Sequence, residues 1–177
     1  RDPVLKYSDV EGLARLNEDF KKLIEELDGN PLAIRVILLQ LLNYSTKALL
    51  EGLKEQFIGV EGDESTKKIM AALVVFERNS PHGWKEVYPL LGLFVGYICQ
   101  LSLRHTLKNC IDEFTTSNLE NLLSTLENSG LLIKLDLNFY YIHPFFSEFF
   151  KKKFKASLKC KSFFNHYMIF LIKDLLD

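Results

Sequence analysis

Gly130-Leu131-Leu132-Ile133-Lys134-Leu135-Asp136-Leu137-Asn138-Phe139-Tyr140-Tyr141-Ile142-His143-Pro144 is the stretch that decides the fold of this chain. Two apolar and aromatic runs, Leu131 to Leu135 and Phe139 to Ile142, flank the turn Asp136-Leu137-Asn138, and the pattern predicts a short β-hairpin. Just before it, Asn118 to Ser129 sets Leu119, Leu122, Leu123 and Leu126 on one helical face, and Gly130 supplies the residue that ends such a helix. Just after it, Pro144 suits the first turn of a closing helix that the pattern extends to about Leu158.

Working outward, helices are expected over Leu101 to Phe114, Trp84 to Phe94 and Ser65 to Arg78, with Asn79-Ser80-Pro81-His82-Gly83 as a turn. Helices followed by a small hairpin and a closing helix give the order of a winged helix-turn-helix. Nearer the start, Val10, Leu13, Leu16, Phe20, Leu23, Ile24 and Leu27 recur at steps of three and four and predict an amphipathic helix over Asp9 to Leu27. Asp28-Gly29-Asn30-Pro31 stops that helix and opens the next: Gly29 suits the left-handed position, Asn30 can cap, and Pro31 fits the first turn. The second helix, Pro31 to about Asn43, is apolar on nearly every side and is expected to be central and buried. A third runs through Ala48, Leu49, Leu53, Phe57 and Ile58, until Gly59-Val60-Glu61-Gly62-Asp63 breaks the pattern. The fold class is therefore mainly α. A helical bundle subdomain over residues 1–62 precedes a winged helix-turn-helix domain with a short β-hairpin wing over 63–158. Residues 159–177, with an amphipathic Phe163 to Leu176, are expected to start a helical linker or repeat region.

An apolar content of 47% in 177 residues is enough for one good core or two small ones. The formal charge of −1 lacks the footprint of a protein that lives on phosphate backbones, so no nucleic-acid partner is expected. Cys99, Cys110 and Cys160 are widely spaced and lack metal-ligand spacing, which reads as thiols in a reducing cytosol. His82, His105 and His166 have no acid or cysteine at metal or triad spacing, so neither a metal site nor a catalytic set is expected. No apolar stretch is long enough to span a bilayer, and the chain opens on Arg1-Asp2-Pro3; the expectation is an internal segment of a longer cytoplasmic protein with no membrane contact. Lys151-Lys152-Lys153, with Lys155, Lys159 and Lys161, is expected to be a solvated face that complements a helix C-terminus.

Leu27-Asp28-Gly29-Asn30-Pro31-Leu32-Ala33 resembles the GxP motif of the STAND/NB-ARC signalling ATPases, a Gly-x-Pro-Leu-Ala run that opens a helix. Leu90-Leu91-Gly92-Leu93-Phe94 resembles their winged-helix signature, Leu122 to Leu132 the approach to the wing, and Tyr141-Ile142-His143-Pro144 the MHD position. The resemblance covers roughly Asp9 to Lys153, with the landmarks in the family's order. It implies that Pro31 packs on a nucleotide base and that His143 binds the β-phosphate of ADP in a closed, inactive form. Pro144 departs from the acid found in many members and leaves any role of that acid unassigned. No GxxxxGK[ST] loop or Walker B strand is present, so the phosphate-cradling and Mg-binding parts are expected upstream. The implied cofactor is ADP or ATP bound with that upstream P-loop NTPase domain, with none held tightly by this chain and no hydrolysis by it. The implied partners are that domain, a downstream helical or repeat sensor, and further copies in the active oligomer.

Two other readings remain open. A winged helix can bind DNA, yet Asn118 to Ser129 carries two acids and no lysine or arginine at the recognition position. The chain could also be an interaction scaffold that keeps the architecture without the nucleotide.

Overall fold

The computed structural model describes residues 10–57, 62–110, 116–136, 138–154 and 158–176. It is mainly helical with one small antiparallel sheet, as the periodicities require. By packing, the chain divides into two units, Arg1–Val75 and Phe76–Asp177. The seam falls inside a helix, whereas the sequence places a boundary at residues 62 and 63; most of the Gly59–Asp63 break lies outside the described residues.

In the first unit, α1 spans Val10–Glu26 and buries Leu23, with Leu27 buried just beyond its end. Asp28 and Gly29 both take positive φ, 53° and 67°, the left-handed conformation that ends α1. Helix α2, Pro31–Leu38, begins on an Asn30 cap, whose Oδ1 accepts from Ala33 N at 3.0 Å. Contrary to expectation, α2 is not buried all round. It tightens into a 3₁₀ turn at Leu39–Leu42, buries Ala33, Val36, Ile37 and Gln40, and leaves Leu42 81% exposed. A helix of two turns can press only one stripe on a neighbour, and the 3₁₀ turn swings the later leucines off that stripe. Helix α3, Thr46–Phe57, packs on α1 through Leu49, Leu50 and Leu53. Helix α4, Glu64–Asn79, starts where the Asp63 carboxylate accepts from Thr66 N at 2.7 Å, a bond that holds this acid below the ordinary carboxylate range.

The second unit takes the end of α4 and then departs from the predicted helix over Trp84 to Phe94. Two single turns replace it, α5 at His82–Lys85 and α6 at Tyr88–Leu91. Pro89 cannot donate to a preceding turn and its ring would strike the carbonyl four residues back, so one continuous helix is excluded. Strand β1, Tyr97–Cys99, leads into α7, Gln100–Cys110, and α8, Thr116–Asn128. The predicted helix beyond Cys110 lies outside the described residues. Gly130, at φ 76°, ends α8 as expected, with Leu131 N donating to Leu126 O and Gly130 N to Glu127 O, both at 2.9 Å. The hairpin follows as β2, Leu132–Asp136, and β3, Phe139–Ile142, with a bulge between Lys134 and Asp136.

The sheet order is β1-β3-β2, all antiparallel, so the chain's earliest strand pairs with its last. Together with α7, α8 and the hairpin this is winged-helix topology. Helix α9 covers only Pro144–Lys153; the chain turns extended at Phe154, whose ring stays stacked on Phe150 at 5.7 Å. Helix α10, Leu158–Leu176, starts earlier than predicted and packs on α7 and α6 within the unit. Its Tyr167 is buried, with the ring 4.6 Å from that of Phe94, and its hydroxyl accepts from Cys99 N at 2.7 Å. That bond satisfies an edge group of β1. Burial pushes the Tyr167 phenol up to about 12.

The core of this unit is aromatic. The Tyr88 ring stacks on Phe150 at 4.3 Å and meets Phe146 edge-on at 6.4 Å. Its hydroxyl donates to Ser80 Oγ at 2.7 Å, and Ser80 in turn donates to Phe76 O. At the rim, Lys153 Nζ pairs with the largely buried Glu77 at 2.5 Å.

Candidate functional site

His143 sits where β3 passes into α9, and its backbone is held on both sides. Its N–H donates to Leu131 O at 2.9 Å, and the preceding Ile142 N donates to Gly96 O at 2.7 Å. The side chain is the α9 N-cap: Nδ1 accepts from Phe145 N at 3.3 Å, and the ring lies parallel to Phe145 with centroids 5.7 Å apart. A ring nitrogen that accepts cannot also carry a proton, so the neutral imidazole has its hydrogen on Nε2. Among the described residues Nε2 has no hydrogen-bond partner. Half-burial lowers the His143 pKa from the ordinary 6.5 by desolvating the imidazolium. The result is a clamped, neutral, single-donor imidazole.

A linkage follows from that lowered pKa. The unfolded chain takes up this proton first as pH falls, so the imidazole's contribution to stability is complete above 6.5 and is lost as pH drops through the folded value. His143→Asn retains a capping acceptor without the titration. Wild type should therefore lose stability relative to this variant between about pH 7.5 and 5, read by urea unfolding followed at Trp84. Parallel curves would show that the imidazole titrates alike in both states.

Beside His143 in sequence, Ile142 and Pro144 line a groove of ≈ 350 Å³ whose walls also include Val95, Gly96, Tyr141, Glu148 and Lys151. Sequence patterns did not point to it, because its walls come from the segment before β1, from β3 and from one side of α9. Gly96, at φ 93°, takes a backbone conformation that favours glycine in that segment.

Pro31 belongs to the first unit, at the exposed N-terminal turn of α2. Its position is set by Asn30, which caps α2 through Oδ1 and donates through Nδ2 to Ser65 Oγ at 2.9 Å. The Ser65 contact was not legible in the sequence, since it joins residues 35 apart. Pro31 and His143 are thus each positioned within a separate unit.

Of the other histidines, His105 is held by ring stacking, whereas His82 and His166 are exposed. His105 stacks on Phe170 at 4.0 Å, and His166 Nδ1 lies 2.8 Å from Ser162 O. Cys99 is buried and free. Among the described residues no three His, Cys, Asp or Glu side chains are grouped to hold a metal ion. On α8 the exposed positions include Ser117, Asn118, Glu120, Asn121 and Ser124, and Arg104 of α7 is paired with Glu120 at 2.7 Å. No helix of the described residues is long and apolar enough to cross a membrane. The chain matches no family model, no curated protein and no solved structure.

Proposed function

We propose that this chain is the regulatory part of a STAND-type nucleotide switch, contributing base- and phosphate-sensing contacts to ADP held mainly by a P-loop domain elsewhere in the same polypeptide. The observation that carries the reading is the state of His143. Capping through Nδ1 forces the hydrogen onto Nε2, and the clamped backbone aims one neutral donor from the strand–helix junction. An N–H of this kind suits an anionic phosphate oxygen, because the ring need not gain a proton or reorganise on binding. Pro31 adds a rigid, exposed apolar surface that loses little entropy on contact with a base.

In this reading ADP favours the closed form because only that form brings both contacts to the nucleotide, and exchange for ATP releases it toward an open oligomer. The compartment is the cytoplasm, where both nucleotides are abundant. A DNA-binding role for the winged helix is less favoured, since the exposed α8 positions offer acid and amide groups where phosphate contacts need lysine or arginine.

The test is calorimetric titration of ADP into the polypeptide that joins this chain to its P-loop domain, as wild type and as His143→Ala. Loss of one hydrogen bond to a charged phosphate should weaken ADP about 10- to 100-fold. Unchanged affinity would remove His143 from the site and the phosphate-sensing role with it.

A further inference from the structure

Charge is unevenly distributed along this chain. Residues 151–177 contain seven lysines and two aspartates, Asp174 and Asp177, whereas residues 1–150 hold 21 acids against 15 lysines and arginines. Complementing a helix C-terminus explains the first three lysines, which sit in the last turn of α9; Lys152 pairs with Glu148 and Lys153 with Glu77. It does not explain α10. Lys161 lies near the N-terminal end of α10, which has no acid in its first turn, so its charge is unfavourable at the positive end of the helix dipole. Lys161 and Lys173 are exposed and form no ion pair among the described residues.

The same helix exposes apolar side chains. While Tyr167 and Phe164 pack inward on Phe94, Met168, Ile169 and Ile172 are 37%, 55% and 52% exposed. Their spacing places them on one outward strip, with Lys161 two turns earlier and Lys173 beside Ile172. Lysines bracketing an exposed apolar strip are the pattern of a helix that lies in the plane of a bilayer surface, its cations at the headgroups and its apolar residues at the acyl boundary.

We infer that the outer face of α10 is a peripheral docking surface for an anionic lipid membrane. An anionic headgroup layer offsets the unpaired lysines and the unfavourable charge at the α10 N-terminus, and the acyl boundary takes up Met168, Ile169 and Ile172. A nucleic acid would meet the lysines and leave that strip in water, so the apolar residues decide between the two.

The experiment is co-sedimentation of the whole 177-residue chain with vesicles of phosphatidylcholine alone or mixed with phosphatidylserine. Binding is expected only to the mixed vesicles, and should weaken as salt is raised. Lys161→Gln and Lys173→Gln should each reduce it about fivefold. Ile169→Asn with Ile172→Asn should reduce it severalfold; these positions are exposed, and unchanged circular dichroism will verify the fold. Equal binding to neutral vesicles, absence of vesicle binding, or binding that heparin abolishes while the isoleucine variants leave it unchanged would each overturn the inference.

Discussion

Gly92→Ala should be the most damaging conservative substitution in the second unit, lowering its stability by about 3 kcal/mol. A methyl at Gly92 would stand 2.8 Å from Lys151 N and 3.0 Å from the Phe150 carbonyl carbon. Both are backbone atoms of α9, so no rotamer change can make room. The backbone of Gly92 is itself ordinary, at φ −66°, and strain at this residue makes no contribution. The whole effect arises from forcing α6 off α9, which also loosens the aromatic core between them. Urea unfolding followed at Trp84 measures it. Gly83→Ala is the control, because a methyl there meets nothing within 4 Å and should change stability by less than about 0.5 kcal/mol. If the two variants unfold alike, the close approach of α6 to α9 is wrong.

Tyr88→Ala should cost a comparable or larger amount, about 3 to 5 kcal/mol. The ring is fully buried, stacked on Phe150 and flanked by Phe146 and Phe76, so truncation opens a cavity among large rigid rings that cannot close over it. Tyr88→Phe separates the ring from the hydroxyl. Ser80 loses one donor but keeps its own bond to Phe76 O, and the cost should be about 1 kcal/mol. A Phe variant as unstable as the Ala variant would locate the energy in the hydroxyl network and not in the stacked rings. Burial also raises the Tyr88 phenol pKa, the same desolvation seen from the side of its proton.

Much of the second unit was readable because its signals are local. Gly130 ends α8, the two apolar runs form β2 and β3, and Pro144 opens α9 one residue after the histidine that caps it. Strand β1 was not readable. At three residues it is too short to show alternation, and it exists because β3 offers it a paired edge. The excess of phenylalanines near the end of the chain was visible, but not its destination. Phe146 and Phe150 enclose Tyr88, and Phe164 meets Phe94. Around the candidate site the sequence located His143 at a strand–helix junction. Its tautomer depends on the bond from Phe145 N, which only coordinates describe.

By itself, then, the sequence determined the mainly helical class, the winged-helix order and most helix ends, because periodicity, caps and glycine or proline geometry act over a few residues. The tertiary structure alone decided the β1-β3-β2 sheet, the split of the expected Trp84–Phe94 helix into two turns that press Gly92 on α9, and the partial exposure of α2. It also decided that α10 folds back on its own unit while keeping a basic and apolar face outward. These outcomes depend on contacts between residues far apart in sequence, where packing space and paired edges outweigh local preference.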